Sequence, residues 1–277
     1  TKSFLIQPKL NMEEIESGQK YYKEKIENNI YNVASPSFFQ VNPKQIEEIV
    51  KLLDSNNIFD QKDYVLDAYC GVGTFTCLIA PMVKKIVGIE ESYSAIHDAK
   101  NNSKNFKNIN YIIGKTEEIL QNNTEKFDTV IMLNELQRLN EPEAFIEVLS
   151  KWLEKSPNAE IIVSTTNISF FMIRLMLLFG FYNHGIKGVL DLSHKRNYTF
   201  SSLKKLFEQS GAFKIKKLIG IPAPFPLAIK NKIISKSLLF INNLLIKIFR
   251  GFFSYEILAV IKPKKTLEDL LKSAEKK

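Results

Sequence analysis

A doubly wound, Rossmann-like α/β fold, with helices on both faces of a largely parallel sheet, is predicted by three features of these 277 residues. From about residue 43 onward, apolar runs of strand length alternate with segments of helical period. The first such strand ends in an acid and enters a two-glycine turn, and the second ends in another acid. The composition, 45% hydrophobic and 25% charged, is that of an ordinary globular chain rather than a disordered one. The length suits one large α/β domain with additions, because single cores rarely grow past roughly 250 to 300 residues. We therefore expect residues 1–42 to form an N-terminal extension that lids a cofactor, and residues 43–277 to form the main domain, with a helical insertion at about 221–253.

Each element has its own local cause. Asn42-Pro43 starts a helix as cap and first-turn residue, and Ile46, Ile49, Val50 and Leu53 recur on one face. The apolar run Tyr64 to Ala68 is the first core strand; after the glycine turn comes a helix from about Thr74 to Met82, then the second strand, Lys85 to Ile89. Ser92 caps a helix carrying Tyr93, Ala95, Ile96 and Ala99. Ile109 to Ile113 and Asp128 to Leu133 are the third and fourth strands, and helix Pro142 to Leu153 leads to the fifth, Glu160 to Ser164. Further on, Ser169 to Leu178 reads as a very apolar helix and Phe200 to Glu208 as an amphipathic one capped by Thr199. Phe213 to Leu218 and Tyr255 to Ile261 read as the last strands. Between them, the proline-rich loop Gly220 to Pro226 precedes an apolar segment, Ile233 to Phe253, holding Lys236, Lys247 and Arg250 and interrupted by Asn242 and Asn243. A membrane span is not expected there. A core helix is the first reading, and an interfacial membrane helix the second.

The stretch Val65-Leu66-Asp67-Ala68-Tyr69-Cys70-Gly71-Val72-Gly73-Thr74-Phe75 carries the chemistry. A buried strand that turns through glycines into a helix leaves a crevice at its carboxyl end, where nucleotide-like ligands bind in such folds. A dinucleotide site favours a third glycine, but position 76 is threonine, and an acid ahead of the turn suits a pyrophosphate poorly. S-adenosylmethionine has a sulfonium, an ammonium and no phosphate, so Asp67 can face its methionine end. Glu90 follows Gly71 by nineteen residues, the spacing of a carboxylate that accepts hydrogen bonds from both ribose hydroxyls. The cofactor residues expected from this stretch and its neighbours are Asp67, Gly71, Gly73, Glu90 and Asn134. No metal is expected.

At these residues the chain resembles the uracil-5 RNA methyltransferases, from about Leu5 to Leu120. The likeness rests on Gly18-Gln19-Lys20-Tyr21-Tyr22, Ser37-Phe38-Phe39-Gln40-Val41-Asn42, Asp67 through Phe75, and Gly88-Ile89-Glu90-Glu91-Ser92. It implies the seven-stranded class I methyltransferase sheet, cofactor contacts from Gln40, Tyr69, Thr74 and Glu90, and closure of the Phe38-Phe39 segment over the ligand. Taken alone, Phe38 and Phe39 read as core packing. The resemblance stops where that family's Asp-Pro-Pro-Arg segment and nucleophilic cysteine belong, since the chain reads Leu133-Asn134-Glu135-Leu136 and Val163-Ser164-Thr165-Thr166. Carbon 5 of uracil is too weak a nucleophile without an adding thiolate, and Thr165 cannot supply one. From about Phe127 the chain is similar to methyltransferases associated with surface-glycan glycosyltransferases. Here the likeness rests on Ser164-Thr165-Thr166-Asn167, Leu190 through Phe200 and Gly220 through Pro226, while that group's Leu-Glu-His triplet is replaced by Leu136-Gln137-Arg138.

Methyl transfer to a hydroxyl needs a base, and His194, with Asp191 and Arg196 close in sequence, is the candidate. The ordinary reading of His194 is a structurally bonded loop residue. Cys70 and Cys77 are the only cysteines, which leaves no disulfide framework and points to a reducing cytoplasm; no early apolar stretch has the pattern of a signal peptide. Residues 161–277 hold 20 Lys/Arg against 6 Asp/Glu, whereas the preceding residues hold 18 against 24. A basic second half attracts phosphate, whether in RNA, a phosphorylated glycan carrier or an anionic membrane surface. The expected function is transfer of methyl to oxygen or nitrogen of a glycan, lipid-linked or other small acceptor. RNA methylation without the usual cysteine and a non-catalytic binding module are the alternatives. The expected location is the cytoplasm, including its membrane surface.

Overall fold

The computed structural model describes residues 4–6, 15–17, 21–26, 29–34, 43–122, 125–154, 156–185, 188–224 and 232–264. It divides into two compact units, Thr1–Thr116 and Glu117–Lys277, and seven strands of the chain belong to one sheet.

The first unit opens with two antiparallel pairs, β1 (Phe4–Ile6) with β2 (Ile15–Ser17) and β3 (Tyr21–Ile26) with β4 (Asn29–Ala34). Helix α1 (Pro43–Ser55) buries the stripe read from its period, with Ile46, Ile49, Val50 and Leu53 all 3% exposed or less. Strands β5 (Tyr64–Ala68), β6 (Lys85–Glu90) and β7 (Ile109–Ile113) run parallel, with Tyr64 opposite Lys85 and Ile86 opposite Ile109. β5 and β6 are buried almost throughout, as strands covered on both faces must be, and β7 is half-exposed. Between β5 and β6, helix α2 is shorter than its apolar pattern suggested. It runs only Thr74–Ile79 and tightens into a 3₁₀ turn at Ala80–Met82, because Pro81 has no N–H to continue the α-helical ladder. Helix α3 (Tyr93–Asn102) starts where expected, the Ser92 hydroxyl accepting from the Ala95 N–H at 3.4 Å.

The second unit begins within helix α4 (Thr116–Asn122), which has no counterpart in the sequence reading. Strand β8 (Thr129–Leu133), helix α5 (Pro142–Leu153) and strand β9 (Glu160–Thr166) make a parallel βαβ unit, with Thr129 opposite Glu160. After helices α6 (Phe171–Leu178) and α7 (Phe200–Glu208), β10 (Phe213–Ile221) and β11 (Glu256–Pro263) complete this half. β11 lies antiparallel between β9 and β10. Thr199 caps α7 through a reciprocal pair of hydrogen bonds with Ser202.

Helix α8 (Lys232–Phe253) connects β10 to β11, and here the first reading fails. It is not a core helix: Ile233, Phe240 and Ile248 are 70 to 77% exposed, while Ser235 and Ile246 are buried. What holds it is a seam of close contacts. Asn167 donates to the Gly251 and Ser254 carbonyls at 3.2 and 2.8 Å. A Cβ at Gly220 would lie 1.9 Å from Ser254 Oγ and 2.8 Å from Ile246, so β10 and α8 meet at van der Waals distance. Gly220→Ala is therefore expected to destabilise the second unit by about 1 to 3 kcal/mol; a denaturant titration with an unchanged midpoint would refute this packing.

Candidate active site

The turn after β5 holds an unusual backbone. Tyr69, Gly71 and Gly73 all have positive φ, at 63°, 55° and 78°. Glycine tolerates this region freely, whereas Tyr69 pays on the order of 1 to 3 kcal/mol, strain of the kind that clusters at ligand sites. The turn also has no room for side chains. A Cβ at Gly73 would sit 2.5 Å from the Tyr111 hydroxyl, and one at Gly88 would sit 2.7 Å from Cys70 Sγ and 2.8 Å from the Tyr111 ring.

Glu90, closing β6, faces this turn. Its Oε2 accepts from the Gly71 N–H at 3.1 Å and its Oε1 from the Ser92 N–H at 2.9 Å. Each carboxylate oxygen keeps a second lone pair, so the group can accept further hydrogen bonds while holding the turn. Asp67 is held by a residue of the following helix. It is 3% exposed, and Oδ2 accepts from the Thr76 hydroxyl at 2.5 Å. Through Thr76 it ties the end of β5 to the helix that follows the turn. Thr76, read from sequence only as a missing third glycine, is its partner; an acid at a strand end followed nine residues later by a hydroxyl was the available signal. Thr74 is buried at the start of α2. The sequence reading also passed over Thr116, a fully buried residue beyond β7 whose hydroxyl has no hydrogen-bond partner among the described residues.

Burial pushes the Asp67 carboxyl up to about 7; the Thr76 hydroxyl opposes the rise and the negative charge of Glu90 adds to it. The folded state thus holds a proton that the unfolded state has released, and stability falls as pH rises from about 4 to about 7. Asp67→Asn removes that slope. It is expected to raise the melting temperature at about pH 8, by at most a few kcal/mol of stability, and to make no difference below about pH 4. Scanning fluorimetry across that range checks it, and parallel profiles for the two proteins would refute the assignment. Cys70 and Cys77 are both buried. Burial raises both thiols, Cys77 to about 12, so neither is a thiolate near neutrality.

In the second unit, Asn134 ends β8 with φ 61° and is buried. Its N–H lies 2.9 Å from the Ser164 hydroxyl, which in turn donates to Asn134 Oδ1 at 3.0 Å, and Gln137 donates to its carbonyl at 2.9 Å. The Gln137 carbonyl accepts from the Lys195 and Arg196 N–H groups at 2.8 and 3.1 Å, which anchors the loop bearing His194. Asp191 and His194 meet through the backbone, the His194 N–H donating to the Asp191 carbonyl at 3.0 Å, while their side chains take other partners. Asp191 Oδ1 takes the Ser193 N–H and hydroxyl at 2.8 and 2.6 Å, and His194 Nδ1 lies 3.1 Å from the Val189 carbonyl. A carbonyl only accepts, so Nδ1 carries the proton and Nε2 is the basic nitrogen. Burial lowers the His194 pKa despite the nearby Asp191 charge. Burial raises Asp191, but the Ser193 hydrogen bonds and the charges of His194 and Arg138 outweigh it and leave the carboxyl low.

Gln40, Phe38 and Phe39 lie outside the described residues. Among the described residues no group of three His, Cys, Asp or Glu could hold a metal ion, and no helix is long and apolar enough to cross a membrane.

Comparison with known proteins agrees with this geometry. Residues 59–176 match the model of a methyltransferase domain. An uncharacterized RNA methyltransferase of Oceanobacillus iheyensis is 38% identical over 106 residues, 37% of this chain and 23% of its own. One of Streptococcus pneumoniae is 40% identical over 113 residues, covering 39% and 24%. The chain thus spans about a quarter of the length of these curated relatives. Among solved structures, the Pyrococcus abyssi tRNA (uracil-54, C5)-methyltransferase in complex with S-adenosyl-L-homocysteine aligns with TM-score 0.53 at 17% identity, over 94% of this chain and 50% of that one. The Synechocystis PCC 6803 magnesium protoporphyrin IX methyltransferase with bound S-adenosylhomocysteine aligns with TM-score 0.52 at 16% identity, over 82% and 90%. At these identities the structural likeness shows the fold. The match to a methyltransferase domain is confined to residues 59–176.

Proposed function

We propose, from a chain whose residues 59–176 carry a methyltransferase domain, that the protein transfers methyl from S-adenosylmethionine to a nitrogen or oxygen atom of RNA. The observation that carries the cofactor half of this reading is the grip of Glu90 on the Gly71 and Ser92 N–H groups. It sets a two-oxygen acceptor beside a turn that passes through Gly71 and Gly73, and that fits an adenosyl ribose with a cationic tail. RNA is supported by the names of the partial relatives and by the excess of cations in residues 161–277. Nitrogen or oxygen is supported by the thiols: both cysteines are buried with raised pKa, and carbon 5 of uracil needs an adding thiolate.

When bound, the cofactor supplies an electrophilic methyl group whose bonding pair passes to sulfur as the acceptor lone pair attacks. The chain's part is alignment and removal of the acceptor proton. His194 is suited to the second task, because its Nδ1–H is held by the Val189 carbonyl and burial keeps the ring neutral. His194→Gln is expected to lower kcat by about 10²- to 10⁴-fold with cofactor affinity unchanged. Wild-type kcat should fall on acidification as the ring protonates.

A second reading, methyl transfer to a glycan or lipid-linked acceptor, is favoured by the exposed apolar surface of the second unit. Tritiated S-adenosylmethionine offered with total RNA and, separately, with a membrane lipid extract distinguishes the two. Label in RNA, at a position other than carbon 5, is the expected result. Label in the lipid extract alone replaces the first reading with the second. Incorporation into neither, with no heat on titrating the cofactor, removes both and leaves a binding module.

A further inference from the structure

Helix α8 is amphipathic in the wrong sense for a globular protein. On a wheel of about 100° per residue, Ser235, Leu239, Asn242 and Ile246 share the packed side. Asn242 is bonded inward to the Ala223 N–H and the Phe253 carbonyl at 3.3 and 3.5 Å. The opposite half carries Ile233, Ile234, Leu238, Phe240, Ile241 and Ile248, each at least 40% exposed. Lys236 and Lys247 border that arc on one side, Arg250 follows beyond the kink at Phe249, and α8 contains no acid.

The helix is not loosely attached. Ser169 Oγ donates to the Gly251 carbonyl at 2.7 Å, Arg250 to the Leu218 carbonyl at 3.2 Å, and Phe252 stacks on Phe171 of α6 at 6.0 Å. α6 adds to the surface. It buries Ile173, but Leu178 and the following Phe179 and Phe181 are 57 to 78% exposed, and residues 167–190 contain Arg174 and Lys187 and no acid.

We propose that α8 and the end of α6 form a docking surface for an anionic lipid membrane, with α8 lying in the plane of the headgroups. Charge selects this occupant. In a symmetric pairing with a second copy, the same patch meets itself, which would bring Lys236, Lys247 and Arg250 against their own equivalents with no carboxylate on either helix to offset them. RNA would satisfy the cations and leave the isoleucine and leucine side chains in contact with phosphate and water. An anionic bilayer satisfies both, taking the apolar arc into the acyl boundary and the cations at the phosphates. The stretch 232–248, ahead of the kink at Phe249 (φ −143°, ψ 72°), is long enough to lie in the headgroup plane as such an interfacial segment.

The test is co-sedimentation of the full chain with vesicles of phosphatidylcholine alone and of phosphatidylcholine with phosphatidylglycerol; it needs no methyl transfer, so its outcome is separate from that of the proposed activity. Association is expected with the anionic vesicles and at least about tenfold more weakly with the neutral ones. The double change Phe240→Glu with Ile241→Glu is expected to weaken it by a further tenfold or more, on the order expected for removing two buried apolar side chains. Phe240→Trp, a conservative change at an exposed site, gives a second readout: its emission shifts to the blue on adding anionic vesicles. The proposal is overturned if the chain does not sediment with anionic vesicles at low salt. It is equally overturned if the double variant binds them as well as wild type, if the Phe240→Trp emission does not move, or if the chain is a dimer in solution that the double variant makes monomeric. Loss of RNA binding, rather than vesicle binding, in the double variant would also overturn it.

Discussion

Glu90→Ala is expected to weaken S-adenosylmethionine binding by about 100-fold or more, the loss of two hydrogen bonds to a charged acceptor at roughly 1.5 to 3 kcal/mol each. The side chain has two jobs, which the test can separate. Its oxygens hold the Gly71 and Ser92 N–H groups, and so fix the turn before any ligand arrives. In the proposed reading their remaining lone pairs accept from the ribose hydroxyls. Glu90→Gln keeps one acceptor oxygen but turns the other into a donor facing a backbone N–H, so it should bind nearly as poorly as the alanine variant. Isothermal calorimetry measures both. An affinity within about threefold of wild type for Glu90→Ala would mean that the ribose is held elsewhere, and the cofactor site would need to be sought outside the β5–β6 turn.

Gly73→Ala is expected to abolish cofactor binding and to lower stability together. The residue sits at φ 78°, and a Cβ there would meet the Tyr111 hydroxyl at 2.5 Å and the Ala99 side chain at 3.1 Å. The left-handed conformation costs an alanine about 1 to 2 kcal/mol, and relief of the clash requires moving either the half-buried Tyr111 side chain or the turn itself. Moving the turn separates the Gly71 N–H from Glu90, so binding should fall even where the protein stays folded. Chemical denaturation and calorimetry on the same preparation check the pair of effects. A variant with wild-type midpoint and affinity would show that the turn is not confined as described.

How far the residues announced this arrangement differs from element to element. The strands Tyr64–Ala68 and Ile109–Ile113 and the helices Pro142–Leu153 and Phe200–Glu208 have the limits read from apolar period, caps and turns. Those signals are local, and each acts within a few residues of its cause. Helix α4 was missed because its seven residues, Thr-Glu-Glu-Ile-Leu-Gln-Asn, are too short to show a period. The end of α2 was overrun because the apolar pattern continues across Pro81. In the site, Glu90 was legible because the crossover between neighbouring parallel strands has a nearly constant length. The Asp67–Thr76 bond was not, since nothing in the order of residues says which way a strand-end carboxylate turns. His194 stood out by residue type, yet the partner of its ring is the Val189 carbonyl rather than the Asp191 carboxylate, and backbone partners leave no mark on a sequence.

The order of residues by itself determined the parallel strands, the glycine turn and the two acids that frame it, because strand pairing and tight turns follow from short-range pattern and from the φ values that glycine alone adopts without strain. Only the tertiary structure decided the direction in which apolar helices face. The residues of α8 are as apolar as those of a core helix, and apolarity states that a side chain gains by leaving water without stating what will cover it. Here the seam between β10 and α8 is occupied by Gly220, Ser235, Asn242 and Ile246, so the larger apolar side chains were left outside.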